Sequence, residues 1–279
     1  MKSNIWGYIL ATASSFTYSV WLLASDIISS FRNYGISLEI IMTFALILSL
    51  IANARHVNRL NLQKLILPIL GGFAFATGNY VFYNLITESG LGIAGSFSQL
   101  NLFFFTLLTL RSSKPKRPSL LIIGSAISAL GLGLMYVPTQ KFNIVPALLG
   151  IVIAVLYSLG TYVLYITSKE ELLNSSIGIF LGEVIFFFPF AIRQTISVDL
   201  IPWTILAGFS LGLALLLEAN GFMKAGYSRG EGSLVNILSS LELIPIVVLY
   251  LIIGGPLATL YSISLGIVVI GIILSSIAI

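Results

Sequence analysis

The chain has 279 residues, of which 57% are hydrophobic and only 9% are charged, with a formal net charge of +4. A soluble domain is about 25% charged, and so apolar a surface would aggregate in water. Lipid is therefore expected to be the solvent for most of the chain. If most of the chain lies in lipid, too few residues remain for a soluble domain. The basic residues lie in short loops rather than in a nucleic-acid-binding patch.

Apolar runs predict ten transmembrane helices, since one helix needs about 20 apolar residues to cross the bilayer. In chain order we place them at residues 5–28, 36–53, 65–87, 91–110, 119–137, 145–167, 175–192, 202–224, 233–253 and 258–279. Pro189 and Pro245 fall inside the seventh and ninth runs and are expected to kink them. The predicted fold class is an all-α membrane protein.

The positions of the basic residues predict the orientation. With the N-terminus in the cytoplasm, 11 of the 14 Lys and Arg residues are cytoplasmic, all except Arg32, Lys141 and Arg193. An excess of Lys and Arg in cytoplasmic loops is the usual pattern. We therefore expect both termini inside, and a multi-pass protein of the cell (plasma) membrane.

The chain also carries a weak internal repeat. Residues 79–102 align with 220–243 at an offset of 141. The matched positions include Asn79 with Asn220 and Asn101 with Glu242. At an offset of 143, Ser14 matches Tyr157 and Tyr18 matches Thr161.

A duplicated unit of five helices must insert in the opposite orientation, because five is odd. The sequence thus predicts two inverted five-helix repeats, residues 1–139 and 140–279. Many secondary transporters have this plan, with the solute site near the midplane.

Carboxylates inside the predicted helices are the most informative positions. A charge at the centre of a membrane helix costs about 2.5–3.5 kcal/mol on insertion scales, so such residues usually serve function. Glu242 is placed near the midplane of the ninth helix, Glu183 in the seventh and Glu218 in the eighth. We take these three as candidates for proton coupling. For each, the alternative is a structural hydrogen bond between helices.

Polar and aromatic side chains also recur at helical spacing along one face of the first helix and one face of the sixth. They are Ser14, Tyr18, Trp21 and Ser25 in the first, and Tyr157, Thr161 and Tyr165 in the sixth. Such stripes can line a cavity for an amphipathic solute, or form a packing face or aromatic belt. The candidate substrate-binding residues are Tyr18, Trp21, Asn79, Tyr83, Asn101, Tyr157, Thr161, Asn220 and Glu242.

Two hairpins and two glycine-rich helices carry a family resemblance. The first hairpin runs from Tyr83-Asn84-Leu85 through Ala94 to Leu100-Asn101-Leu102, and the second from Phe222-Met223-Lys224 to Leu241-Glu242-Leu243-Ile244-Pro245. The glycines are Gly124, Gly131 and Gly133 in the fifth helix and Gly266 and Gly271 in the tenth. In these features the chain resembles the drug/metabolite transporter superfamily, in its EamA-type ten-helix group, over essentially its whole length.

This resemblance implies transport of a small metabolite by alternating access, in a proton-linked or facilitated mode. Amino acids, nucleosides, sugars and drug-like solutes all suit such a fold. The chain departs from the family pattern at Leu102, where a proline is usual, and at Gly254-Gly255-Pro256, where an acidic residue is usual. The pieces Gly78-Asn79 and Gly92-Ile93-Ala94 also resemble the sugar-uptake porters of the same superfamily.

Missing motifs limit the other classes of function. The chain has no G-x-x-x-x-G-K-[ST] motif for an ATP motor, and its one histidine, His56, is in a basic loop. We therefore expect no enzyme activity, no cofactor and no metal site. The expected partners are a small-molecule solute and membrane lipid, and no nucleic acid, with monomer or dimer left open. A non-transporting membrane scaffold or receptor remains the alternative.

Overall fold

A computed structural model describes residues 5–30, 34–136, 144–192, 194–252 and 259–279, and within these ranges the regular structure is entirely helical. The helices are α1 (Ile5–Ser29), α2 (Tyr34–Ala52), α3 (Leu62–Ser98), α4 (Asn101–Thr109), α5 (Pro118–Tyr136), α6 (Ile144–Ser168), α7 (Leu172–Ala191), α8 (Ile201–Ala225), α9 (Glu231–Ser239), α10 (Leu243–Ile252) and α11 (Thr259–Ala278). The loop residues Arg32, Lys141 and Arg193, and Gly254-Gly255-Pro256, lie outside the described residues.

Eight stretches of the described chain are long and apolar enough to cross a membrane, which makes this a multi-pass membrane protein. The longest, Leu62–Thr109, has 48 residues, about twice what one crossing needs. Helix α1 is not among the eight. Its many serine, threonine, tyrosine and tryptophan residues lower its hydropathy, and several of them face the interior of the bundle.

Four loops and the end of α11 meet at one end of the helix bundle, which we call the basic end. There the Lys64 ammonium lies 3.2 Å from the Glu171 carboxylate, which joins the α2–α3 loop to the α6–α7 loop. The Lys114 N–H donates to the Ser228 carbonyl at 2.7 Å, and the Arg117 N–H donates to the Ala278 carbonyl at 3.2 Å. These contacts bring basic residues of the loops together at one end of the bundle.

The chain turns back within α3, at Gly90. This residue has φ 80° and ψ 158°, a backbone conformation that glycine adopts freely because it has no Cβ. Thr87, just before it, hydrogen-bonds to the Ser29 carbonyl at 3.3 Å at the far end of the bundle. Lys64, the third residue of the 48-residue stretch, and Lys114, five residues after its end, both lie at the basic end. The turn falls between the predicted third and fourth helices.

The fourth helix was predicted as one run and the ninth as one run kinked at Pro245, and both are interrupted in the middle. The fourth stops at Ser98 and resumes as α4, while the ninth consists of α9 and α10 with a gap after Ser239. Hydrogen bonds that span three residues replace the four-residue bonds of an α-helix there. One example is the 3.0 Å bond from the Ile244 N–H to the Leu241 carbonyl. Pro245 is the third residue of α10, where its missing N–H costs little. Irregular backbone at membrane depth is tolerated where it lines a cavity.

The helices that pack most extensively are distant in sequence. Helix α1 packs along α8, α3 along α6 and α7, α2 along α7 and α8, and α5 along α11. The close approach of α3 and α7 depends on glycines, because a Cβ on Gly182 would lie only 3.1 Å from the Cα of Gly72. Around the interruptions, α4 contacts α6 and α9, and α9 contacts α1 and α8. The interruptions therefore face the centre of the bundle.

Burial follows the pattern expected when lipid is the outer solvent. Large apolar side chains on the outside are well exposed, among them Trp6 at 68%, Leu70 at 57% and Ile270 at 53%. Glu183 and Glu218 are in contrast only 2% and 4% exposed. The polar side chains inside hydrogen-bond to one another across helices, and these bonds define the site.

Candidate functional site

A cavity of about 100 Å³, lined by polar and aromatic side chains, lies in the middle of the bundle. Side chains of α1, α3, α4, α6, α7, α8 and α9 and of both interruptions line it. Of the predicted substrate-binding residues, those lining it are Tyr18, Trp21, Asn79, Asn101, Tyr157, Thr161 and Glu242. The three predicted proton-coupling carboxylates, Glu183, Glu218 and Glu242, line it too.

One hydrogen-bonded group on the cavity is the Glu218 cluster, formed by Tyr18, Glu218 and Ser239. The Tyr18 hydroxyl of α1 donates to Glu218 Oε2 at 2.8 Å. The Ser239 hydroxyl, at the end of α9, donates to Glu218 Oε1 at 2.8 Å. Both carboxylate oxygens therefore accept a hydrogen bond, and the cluster ties α8 to α1 and to the interruption after α9.

A second group is the Glu183 cluster, formed by Tyr157, Asn79 and Glu183. The Tyr157 hydroxyl of α6 donates to Asn79 Oδ1 at 2.8 Å. The Asn79 amide nitrogen then donates to Glu183 Oε1 at 3.0 Å. Here the tyrosine reaches the carboxylate through an amide, so the cluster joins α6, α3 and α7.

The two interruptions meet the cavity through Gln99 and Glu242. Gln99 Nε2 donates to Glu242 Oε1 at 2.9 Å, which links the first interruption to the second. Serines of the neighbouring helices hold the backbone on each side. Ser19 Oγ donates to the Glu242 carbonyl at 2.5 Å, and Ser158 Oγ donates to the Asn101 carbonyl at 3.0 Å.

Four rings separate the cavity from the basic end, and we call Phe105, Tyr165, Phe222 and Tyr227 the aromatic layer. The first three lie four residues, about one helical turn, beyond the cavity residues Asn101, Thr161 and Glu218 on the same helices. Ring centroids are 5.8 Å apart for Phe105 and Phe222, 5.3 Å for Tyr165 and Phe222, and 4.9 Å for Tyr165 and Tyr227.

The aromatic layer closes the basic side of the cavity. Phe105, Tyr165 and Phe222 are fully buried, and the Tyr165 hydroxyl donates to the Tyr227 carbonyl at 3.2 Å. Burial raises the pKa of the Tyr227 hydroxyl, so this group stays neutral. On the opposite side of the interruption, the described residues 243–247 of α10 are half-buried, whereas residues 231–237 of α9 are all buried. The packing is thus tighter toward the basic end.

Two predicted substrate-binding residues lie away from the cavity lining. Tyr83 is fully buried, and its hydroxyl donates to Ser25 Oγ at 2.6 Å, one turn beyond Asn79. Asn220 donates to the Leu216 carbonyl of its own helix at 2.8 Å. Asn220 is two residues from Glu218, and about 200° of helical rotation turns it to another face.

Sequence reasoning missed several lining residues. These are chiefly Phe75, Phe82, Gln99, Asn236, Ser239 and Ser240. A signal for three of them was present, because Gln99, Ser239 and Ser240 belong to the two matched polar segments of the repeat. Polar residues in the middle of an apolar run mark a break in the helix as well as a polar site. Phe75 and Phe82 carry no such signal, since aromatic residues are equally common facing lipid.

The lining favours particular ligand chemistry. Among the described residues that line the cavity there are three carboxylates and no Lys, Arg or His. Trp21 and Phe82 stack with ring centroids 6.2 Å apart, and Tyr157 lies 6.2 Å from Phe82. The site therefore combines hydrogen-bond acceptors and acidic groups with flat apolar surfaces.

Comparison with known proteins supports the fold alone. No protein-family model matches the chain, and no curated protein matches it in sequence. A crystal structure of another protein, for which no activity is stated, matches with a TM-score of 0.74 at 17% identity over 96% of both chains. At that identity, the match shows that the two proteins share a fold.

Proposed function

We propose that the protein is a secondary transporter that carries a small solute through the cavity by alternating access. The observation that carries this proposal is the polar cavity at the interruptions of two helices, lined by Glu183, Glu218 and Glu242. Transporters place their solute and coupling-ion sites at such discontinuous helices near the midplane. The proposal includes membership of the drug/metabolite transporter superfamily, in its EamA-type group, and a place in the plasma membrane with the basic end in the cytoplasm.

Ten crossings in two inverted repeats are part of the same proposal. Matched hydrogen bonds in the two halves support it. Ser19 and Ser158, 139 residues apart, bond to the carbonyls of Glu242 and Asn101, which were aligned by the sequence repeat. The packing supports it as well, since exchanging the halves turns the α1–α8 contact into the α6–α3 contact.

The matched contacts favour a different register between the halves than the sequence alignment did. Tyr18 and Tyr157 are 139 residues apart, as are their hydrogen-bond partners Glu218 and Asn79. The alignment had matched Asn79 with Asn220. Two more residues separate Glu218 from Glu242 than separate Asn79 from Asn101, so an offset of 139 in the long helices becomes 141 at the interruptions.

Alternating access needs one closed side that can open. The aromatic layer is the closed side, at the basic end, because its rings separate the cavity from the loops. In this conformation the looser packing around α10 favours entry from the far end. Movement of one half against the other would part Phe105, on α4 of the first half, from Tyr165 and Phe222, on α6 and α8 of the second half, and expose the cavity to the basic end.

Reconstitution into proteoliposomes with a pH gradient tests the function. A screen of amino acids, nucleosides, sugars and amines should find a solute that accumulates against its concentration gradient, and a proton ionophore should abolish the accumulation. Glu242→Gln should lose proton-driven accumulation. Glu170→Gln, at an exposed residue of the α6–α7 loop, should keep it and serves as the matched control.

Facilitated transport would appear as downhill flux of a solute that Glu242→Gln leaves unchanged. Absence of flux for every solute class, from protein that is monodisperse before and after reconstitution, would contradict the transporter proposal and favour a scaffold or receptor.

A further inference from the structure

We infer that the cavity takes an organic cation, namely a small protonated amine with one aromatic or aliphatic ring. The inference deepens the proposed function by naming the substrate class, and for transport it rests on that function. Two independent features of the lining carry it. One is the acidic lining of the cavity, and the other is a pair of buried acceptor atoms with no donor among the described residues.

The acidic lining disfavours anions. Glu183, Glu218 and Glu242 all border the cavity, and no Lys, Arg or His does among the described residues. An anionic solute would meet three acidic groups at a depth where water cannot screen them. A cation would instead pair with a carboxylate, and a paired charge costs far less to bury than a lone one.

The unpaired atoms specify a donor on the solute. Gln99 is only 4% exposed, and its Oε1 has no hydrogen-bond partner among the described residues. Because its Nε2 is held by Glu242 at 2.9 Å, the orientation of the amide is set and Oε1 is the atom left over. Asn101 Oδ1 is likewise buried and unpaired. Both orphaned atoms are acceptors, and an ammonium group supplies up to three N–H donors but no acceptor.

Both residues and a carboxylate line the same cavity, since Gln99, Asn101 and Glu242 all border it. Gln99 is bonded to Glu242, so an ammonium group that donates to Gln99 Oε1 would lie near the Glu242 carboxylate. An unmade buried hydrogen bond is costly, so a solute that donates to one of these acceptors gains more than one that only fills space.

The remaining lining fits the ring of such a solute. Trp21 and Phe82 present stacked rings, and Tyr18 lies edge-on to Trp21 with ring centroids 6.4 Å apart. Aromatic faces attract cations within about 6 Å and provide flat apolar contact. An amine with one ring therefore finds partners for both of its ends.

Three probes of nearly one shape test the inference with purified protein, namely 2-phenylethylamine, 2-phenylethanol and phenylacetate. Titration calorimetry at neutral pH should show the amine binding at least tenfold more tightly than the alcohol, and no binding of the acid. Glu242→Gln should weaken amine binding at least tenfold and leave the alcohol unchanged. Asn101→Leu should weaken amine binding several-fold.

Two controls guard against misfolding. Asn220→Leu, at a residue outside the cavity, and the exposed Glu170→Gln should bind the amine like the unaltered protein. Each variant must elute as a single species in size-exclusion chromatography, and a variant that fails is replaced by Gln99→Met, which removes the orphaned acceptor. Equal binding of amine and alcohol, binding of the acid, or no amine binding by the unaltered protein would each overturn the inference.

Flux separates this inference from the proposed function. Selective amine binding without movement of the amine in proteoliposomes would sink the transporter proposal and leave the cation site standing. Transport of a neutral or acidic solute by a protein that does not bind the amine would sink the cation site and leave the transporter standing.

Discussion

The Glu218 cluster and the Glu183 cluster line one cavity and begin alike, each with a tyrosine donating at 2.8 Å. They differ in what receives that hydrogen bond. Tyr18 donates directly to a carboxylate, whereas Tyr157 donates to the amide of Asn79, which relays to Glu183. Glu218 accepts a second hydrogen bond from Ser239, while Glu183 accepts one bond from the described residues.

The Glu218 and Glu183 carboxylates are therefore held in different ways. A carboxylate bonded on both oxygens is fixed in place and ties three elements together. A carboxylate reached through an amide depends on that amide, which must offer its nitrogen to Glu183 and its oxygen to Tyr157. The proposed halves thus place their two tyrosines alike, but Tyr18 meets a carboxylate and Tyr157 meets an amide. The carboxylates are therefore unevenly distributed around the cavity.

The largest expected effect comes from breaking the relay. Asn79→Leu keeps the size of the side chain but removes the acceptor for Tyr157 and the donor for Glu183. We expect the free energy of unfolding to fall by about 1–3 kcal/mol, the usual cost of an unmade buried hydrogen bond. Thermal unfolding in detergent measures it.

Asn220→Leu is the control for that substitution, because Asn220 bonds only to the backbone of its own helix. It should change stability by less than about 0.5 kcal/mol. Equal losses for the two variants would contradict the matching of Asn79 with Glu218 and would restore the register of the sequence alignment.

A smaller effect separates the two tyrosines. Tyr18→Phe and Tyr157→Phe each remove one hydroxyl, and hydrogen bonds between membrane helices are worth about 0.6 kcal/mol on average. A hydrogen bond to an ionised group is about twice as strong as a neutral one. Tyr18→Phe should therefore cost about twice as much as Tyr157→Phe if Glu218 is ionised.

Tyr162→Phe supplies the baseline for both tyrosines, since the Tyr162 side chain is half-buried and its ring packs on Tyr165. It should be close to neutral in the same unfolding measurement. Equal costs for Tyr18→Phe and Tyr157→Phe would mean that Glu218 is protonated in the resting protein, so that the two clusters carry the same charge.

The smallest effect is expected where the two halves are joined outside the membrane. Lys64 and Glu171 form an ion pair at 3.2 Å, with side chains 43% and 40% exposed. Such pairs contribute about 0–1 kcal/mol and weaken with salt. Lys64→Met should therefore change stability by less than about 0.5 kcal/mol. A loss as large as that of Asn79→Leu would show that the halves are held together at the basic end rather than at the cavity.

The sequence by itself determined that the protein is helical and lies in a membrane. Low charge and long apolar runs leave no other solvent for the chain, and helices satisfy every backbone group within one segment. It also indicated which residues to examine, because a carboxylate in hydrocarbon is costly wherever it lies. Glu183, Glu218 and Glu242 could be named without a structure for this reason, and the cavity brings them together.

Only the tertiary structure decided which polar residues meet. Most of the hydrogen bonds at the cavity join helices distant in sequence, such as that of Tyr18 with Glu218, 200 residues apart. Helical rotation of about 100° per residue makes such contacts sensitive to register. The sequence alignment placed Asn220 at the cavity, whereas Glu218, two residues earlier in the chain, lines it. The polar residues around Gln99 and Glu242 gave a local signal for the interruptions, but only the surrounding helices decide that a break there is stable.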